Sequence, residues 1–289
     1  MTFSASERAA CQKLVELALD EDLDRAGDRS TAATIPQDLH GSAVFRARAP
    51  GVIAGLPAVA VVLAAVDARM EFCQVHCDGD RVRSGEELAR VAGRVPSIFA
   101  SERIALNFLQ HLSGIATRTR EYVDRVAPFR CQILDTRKTL PGWRKLQKYA
   151  VRCGGGQNHR MGLFDAILIK DNHLAVLGKN GIARSIATVR ERFGHSLPIT
   201  VEVDDLEQLD EALAAKPDVI LLDNMTPTLL REAIGRRALR SPAVLLEASG
   251  GISLATVEDI AATGVDRISV GELTHSAPAL DIALDYENS

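Results

Sequence analysis

The chain has 289 residues, more than a typical single domain, so two domains or one large barrel is the starting expectation. Hydrophobic residues make up 46% and charged residues 25%, which supplies a substantial core and excludes a disordered chain. A formal net charge of -4 excludes overall attraction to nucleic acid, and with aromatics at 4% the core must rest on Ala, Val, Leu and Ile.

The N-terminal segment MTFSASERAACQK carries acidic and basic residues and no apolar signal core, so a cytoplasmic protein is expected. Residues 6–19 have helical spacing, with Ser6 as the cap. Short alternating segments follow at AVFRARA (43–49), EFCQVHC (71–77) and ELARVAG (87–93), each read as a strand. The longest uncharged run, Gly51 to Val66, falls short of the roughly 20 residues that span a bilayer. Gly55 and Pro57 interrupt it, so it reads as a strand end and a buried helix that Pro57 starts; no membrane partner is expected. From about Ser101 a helix carries Ile104, Ala105, Phe108, Leu109 and Leu112 on one side. An antiparallel sheet with helices on one face is expected as far as residue 112.

The five cysteines, Cys11, Cys73, Cys77, Cys131 and Cys153, contain no CxxC pair, which argues against a disulfide framework or a structural zinc site. Cys73 and Cys77 would share a strand face as buried, reduced thiols.

Beyond residue 113 short apolar strands alternate with helices, the signature of a parallel α/β sheet or barrel. The strands are expected at 131–135, 166–170, 199–203, 218–223, 243–250 and 267–271. Between them, helices are expected from Ile182 to Arg192, Leu206 to Ala215, Thr228 to Arg236 and Leu254 to Ala262. Each strand ends in ionisable or glycine-rich residues: Asp135-Thr136-Arg137-Lys138, Lys170-Asp171-Asn172, Glu202, Asp223-Asn224, Glu247 to Gly251, and Gly271-Glu272. Burying such charges is costly, and in a barrel these ends meet at the C-terminal rim, where active sites form. Ordinary solvent-facing strand ends would account for half of them.

Charge is concentrated nearby. Thr136 to Phe164 contains no acidic residue, yet it holds seven fixed positive charges: Arg137, Lys138, Arg144, Lys145, Lys148, Arg152 and Arg160. Arginine forks capture carboxylate or phosphate, and lysine adds a compact charge, so Arg137, Lys138, Arg160 and Lys170, with His159, suit a polyanionic substrate. Glu202 and Asp223 oppose them and suit a hard cation such as Mg2+ bound with phosphates. A network of mutually neutralising ion pairs is the bland alternative. Arg144, Lys145, Lys148 and Arg152 fall at helical spacing and read as a solvated helix face. Ser249-Gly250-Gly251 and Val270-Gly271-Glu272 can present backbone amides to a phosphate, although glycine at such turns is often only a bend. Gly154-Gly155-Gly156 matches neither a dinucleotide-binding nor an NTPase loop. His173 reads as an orienting hydrogen-bonder, and His275 as either a phosphate contact or a surface histidine.

Taken together, the segments ALDEDL (18–23), GDRST (27–31), ERIALNFLQHLSGIAT (102–117), DTRKTLPGWRKLQKYAV (135–151), CGGGQNHRMGLFDAILIKDNH (153–173), VEVD (201–204), LLDNM (221–225), EASGGI (247–252) and ISVGELTHS (268–276) closely resemble the quinolinate phosphoribosyltransferase family. The resemblance implies an N-terminal α/β sandwich domain (1–112) and an open α/β barrel of the type II phosphoribosyltransferase kind (113–275); the last segment (276–289) reads as a C-terminal helix packing on the first domain. The resemblance also implies transfer of a phosphoribosyl group from 5-phosphoribosyl 1-diphosphate to quinolinate with decarboxylation, and a head-to-tail homodimer. Carried over by motif, quinolinate would meet Thr136, Arg137, His159, Arg160 and Lys170, with Arg103 reaching in from the neighbouring subunit. Lys138, Glu202, Asp223, Ser249, Gly250, Gly251, Val270, Gly271, Glu272 and His275 would hold the phosphoribosyl diphosphate. Glu202 and Asp223 would bind its Mg2+, and these two with Lys138 would be the catalytic groups. A paralogue with another acceptor and a Schiff-base aldolase using Lys170 are the rival expectations.

Overall fold

The computed structural model describes residues 1–178 and 181–287. In chain order the first elements are α1 (Ala5–Leu23), α2 (Arg29–Thr34), β1 (His40–Ala47), β2 (Gly51–Val52), α3 (Leu56–Val66), β3 (Glu71–Gln74), β4 (Arg81–Val82), β5 (Glu87–Arg94) and the long α4 (Val95–Val126). Then come β6 (Gln132–Leu134), α5 (Arg144–Cys153), β7 (Ile167–Ile169), α6 (Asp171–Leu177), α7 (Gly181–Phe193), β8 (Ile199–Val203), α8 (Leu206–Ala215) and β9 (Val219–Asp223). The chain continues through α9 (Pro227–Arg240), β10 (Leu245–Ser249), α10 (Val257–Ala261), β11 (Arg267–Ser269), α11 (Glu272–His275) and β12 (Ile282–Glu287). They form two compact units.

The first unit comprises Met1–Arg120, Thr139–Gly155 and the chain from Leu273 onward. Its antiparallel sheet has the order β12-β1-β5-β3, with β2 and β4 forming a separate ribbon. Helix α1 packs on α3 and α5. It starts at Ser4 rather than Ser6: the Glu7 amide donates to Ser4 Oγ at 3.3 Å and the Ser4 amide to Glu7 Oε2 at 2.7 Å, a reciprocal box that a cap at Ser6 would lack. Helix α3 begins at Leu56, one residue before Pro57, after Gly55 at φ +113°. The amides of Gly55 and Leu56 donate to the Asp78 carboxylate at 2.7 and 3.1 Å, and the Tyr149 hydroxyl donates to it at 2.7 Å. Asp78 thus caps α3 from a distant turn and ties it to α5.

Four further expectations fail in this unit. Helix α4 begins at Val95, not near Ser101. Strand β3 ends at Gln74, so Cys77 falls in a turn, and both Cys73 and Cys77 are exposed. The basic helix α5 is not a solvated face: Leu146, Gln147, Lys148, Tyr149, Ala150 and Val151 are all buried, and Arg152 pairs with Glu7 at 2.6 Å. Finally, the segment after Ala277 is a strand rather than a helix. β12 runs antiparallel to β1, with Ala43 opposite Tyr286 and Ala47 opposite Ile282. Pairing satisfies the open edge of β1, and that gain overrides a weak local preference.

The second unit, Glu121–Lys138 with Gly156–Glu272, is an open α/β barrel. Its six strands are parallel in the order β6-β11-β10-β9-β8-β7; β6 and β7, at the two ends, share no ladder. The strands are the ones expected, trimmed by a residue or two at several ends, and both their faces are largely apolar because helices cover the outside. The two units do not separate at one point near residue 112, since 139–155 and the C-terminal residues join the first. No helix among the described residues is long and apolar enough to cross a membrane.

Candidate active site

Parallel register decides which side chains meet. Glu202 lies beside Leu221, Asp223 beside Ser249, and Glu247 beside Arg267, so these residues share one face of the sheet. Side chains two apart on a strand point the same way, which adds Leu168 and Lys170 on β7 and its end, and Ser269 on β11. That face lines a cavity of about 580 Å³ with Thr136, Arg137, Lys138, His159, Arg160, Lys170, Glu202, Asp223, Asn224, Ser249, Gly250 and Gly251 around it. The size lies inside the roughly 300–1,000 Å³ of small-molecule sites.

Cations dominate one part of the wall. Burial pulls the Arg160 guanidinium below its ordinary pKa, and the like charge of Arg137 adds to the effect. Two guanidinium groups held this way are poised for an anion that relieves their repulsion. Lys170 faces Glu202 at 3.1 Å, and its backbone amide donates to His173 Nδ1 at 3.0 Å, so His173 does orient this corner. Across the cavity burial raises the Asp223 carboxyl above the usual range, helped by Asp204 and opposed by Lys170 and Lys138. Further along, Asn224, Gly250 and Gly251 all have positive φ, at 53°, 91° and 59°. These turns expose backbone at the strand ends, where a phosphate can approach.

The seven basic charges counted in the sequence divide between the units. Arg137, Lys138 and Arg160 line the cavity, whereas Arg144, Lys145, Lys148 and Arg152 lie on α5 of the first unit. Arg103 stands on the exposed face of α4, opposite the buried Ile104, Ala105 and Phe108, and does not line this cavity. Nor do Val270, Gly271, Glu272 and His275: Val270 is buried with its amide donating to Leu134 O at 2.9 Å, Gly271 and Glu272 are half-buried, and His275 is exposed beside Ser276.

Sequence reasoning counted Asp135 and Glu247 among the polar strand ends but gave them no role, and both lie in the layer beneath. Asp135 is fully buried; its carboxylate accepts the Asn158 amide at 2.6 Å and the His159 backbone N–H at 2.9 Å. Glu247 is 1% exposed, and burial pushes its carboxyl up to about 7. The available signal was period two: counting back from Ser249 puts Glu247 on the lining face of an otherwise apolar strand.

Among the described residues no group of three or more His, Cys, Asp or Glu side chains could hold a metal by itself. Glu202 and Asp223 offer two carboxylates near the same cavity, a donor set suited to a magnesium ion that arrives largely coordinated by substrate phosphates and water.

Comparison with known proteins gives the same reading throughout the chain. Residues 28–113 match the model of the quinolinate phosphoribosyl transferase N-terminal domain, and residues 115–285 that of the C-terminal domain. The carboxylating nicotinate-nucleotide pyrophosphorylase of Mycobacterium leprae is 46% identical over 285 residues, covering 98% of this chain and 99% of the relative. A decarboxylating quinolinate phosphoribosyltransferase of Nicotiana tabacum is 41% identical, covering 96% of this chain and 82% of its own. The solved nicotinate-nucleotide pyrophosphorylase of Francisella tularensis superposes with a TM-score of 0.90 at 36% identity, covering 97% of each chain. With its cationic cavity at the barrel rim and both domain models matched, the chain belongs to the quinolinate phosphoribosyltransferase family.

Proposed function

We infer that the protein transfers the phosphoribosyl group of 5-phosphoribosyl 1-diphosphate to the ring nitrogen of quinolinate and decarboxylates the adduct. The products are nicotinate mononucleotide, pyrophosphate and CO2, a step of de novo NAD synthesis. The observation that carries this reading is the cavity itself, which Arg137, Arg160 and Lys170 line together with Glu202 and Asp223.

In this reading Arg137 and Arg160 clamp the two quinolinate carboxylates, with Thr136, His159 and Lys170 completing the subsite. The Ser249–Gly251 turn and Lys138 hold the phosphoribosyl diphosphate, with Val270, Gly271, Glu272 and His275 extending that subsite. The pyridine nitrogen attacks the anomeric carbon as pyrophosphate departs. Lys138 stabilises the leaving group, while Glu202 and Asp223 face the positive charge that develops on the ribose. Loss of the adjacent carboxylate as CO2 leaves its electron pair on the ring carbon, where the pyridinium charge stabilises it until a proton from water takes the carboxylate's place. Positioning and electrostatics suffice, and no side-chain nucleophile takes part. Magnesium, held by Glu202 and Asp223 in part through water, would neutralise the diphosphate.

A Schiff-base aldolase would need Lys170 as a free amine at a carbonyl. Its ammonium instead faces Glu202 at 3.1 Å, which favours the anion-binding reading. The dimer, with Arg103 of one subunit entering the site of the other, is part of the proposal.

Pyrophosphate release with quinolinate, 5-phosphoribosyl 1-diphosphate and magnesium tests the activity directly; nicotinate in place of quinolinate should give none. Arg137→Ala and Arg160→Ala should each raise the KM for quinolinate by about tenfold or more, the loss expected on removing one charged partner. Near-normal turnover of both variants at low quinolinate would contradict the assignment.

A further inference from the structure

Below the cavity lies a polar layer that the reaction just described does not use. Register sets Glu247 between Leu221 on β9 and Arg267 on β11, one pleat beneath Ser249. One of its oxygens, Oε1, is buried and accepts no hydrogen bond. An orphaned buried acceptor costs free energy, so an apolar side chain of similar size would suit the layer better unless that oxygen has a task. It points at one group in particular: His159 Nε2 stands 3.5 Å away.

The other ring nitrogen explains why this matters. His159 Nδ1 accepts the Arg160 amide at 2.7 Å, so it carries no proton, and in the neutral ring the proton lies on Nε2, aimed at Glu247. The His159 backbone is held separately, through its amide on Asp135 Oδ1 at 2.9 Å. Backbone and ring therefore have different anchors.

We propose that Glu247 is a positioning residue: its Oε1 accepts from His159 Nε2–H and, together with the Arg160 amide on Nδ1, fixes the rotamer and tautomer of that ring in the quinolinate subsite. The proposal rests on the reading of His159 as a quinolinate contact. A separation of 3.5 Å is long for the bond, and contacts of this kind tighten once substrate is seated. Burial raises the carboxyl toward neutrality and Asp135 adds to the rise, while a hydrogen bond from Ser269 and the charge of Arg267 oppose it. An uncharged carboxyl can orient the ring without setting a full negative charge beside a dianionic substrate. His159, Asp135, Ser269 and Arg267 are the titratable or polar groups that face it.

Two variants of the full chain test this. Glu247→Met keeps the volume and removes the acceptor; Glu247→Gln keeps the acceptor and cannot ionise. In the Met variant the nitrogen-15 signals of the His159 ring, assigned by difference against His159→Gln, should shift to a tautomer mixture. The KM for quinolinate should rise about tenfold, as for other residues that orient a contacting side chain. The KM for 5-phosphoribosyl 1-diphosphate should hold, and the thermal midpoint should not fall. The Gln variant should restore ring signal and KM, and should lack the rise in quinolinate KM expected of the native protein as pH climbs past about 7 and Glu247 ionises.

A native ring signal with unchanged quinolinate KM in Glu247→Met overturns the proposal, as does an equal rise in both KM values. A shifted tautomer with an unchanged quinolinate KM upholds the orientation of the ring and instead removes His159 from the quinolinate subsite. Should Glu247→Met fail to fold, Glu247→Gln decides alone: a flattened alkaline limb supports the proposal and an unaltered one sinks it.

Discussion

At Gly250 the backbone takes φ +91°, and a Cβ there would overlap the side-chain oxygen of Asn224 and stand 3.0 Å from its amide nitrogen. Strain and collision act together at a turn read as a phosphate contact. Gly250→Ala should therefore cost about 1–3 kcal/mol in chemical denaturation, and raise the KM for 5-phosphoribosyl 1-diphosphate more than that for quinolinate. Glu247 makes a prediction of a different sign. Its carboxyl titrates at 4.5 without its surroundings and at about 7 when buried, so the folded state holds the proton more tightly. Between those values the unfolded chain has already lost it, and stability falls as pH rises through the window, with the full penalty above about 7. Glu247→Gln should remove that part of the decline when thermal midpoints are compared across the same pH range. Arg137 and Lys170 were legible in the sequence because they closely follow apolar strands, and Arg160 because it falls in a basic segment without acidic residues. Glu247 was legible only as one of the polar strand ends; that it lies beneath His159 was not.

The helix α5 shows how an element's role depends on what packs against it. Four basic residues at helical spacing suggest a wet face, yet Lys148 is fully buried and Arg152 bonds to Glu7 of α1. Asp78 joins the same assembly by accepting the first amides of α3 and the Tyr149 hydroxyl. Removing it orphans three buried donors at once, so Asp78→Ala should destabilise the fold by about 1–3 kcal/mol for each donor that finds no other partner. Differential scanning calorimetry would show the loss. Strand β12 carries a related lesson. Its residues alternate weakly, and only the open edge of β1 makes a strand of them.

At the scale of the whole molecule, Arg103 tests the assembly. It sits on the exposed face of α4 in the first unit, while Arg137 lines the cavity of the second. If each site takes Arg103 from its neighbour, a heterodimer of Arg103→Ala and Arg137→Ala subunits has one doubly altered site and one intact site. Assayed at quinolinate far below the raised KM, a mixture of the two impaired variants whose subunits exchange should then recover about a quarter of the native sites, from the statistics of a two-fold dimer. A mixture that recovers none would place Arg103 elsewhere.

By itself the sequence determined the alternation of strands and helices from residue 113, the polar strand ends and the motifs that carry the family. These are local: a period of two or 3.6 and a charged residue after an apolar run are written within a few positions of one another. Tertiary structure alone decided that α5 joins the first unit, that the C-terminal residues pair with β1, and that Glu247 lies under His159. Each of these depends on groups far apart in the chain competing to bury apolar surface and satisfy backbone hydrogen bonds, and no local pattern records which of them wins.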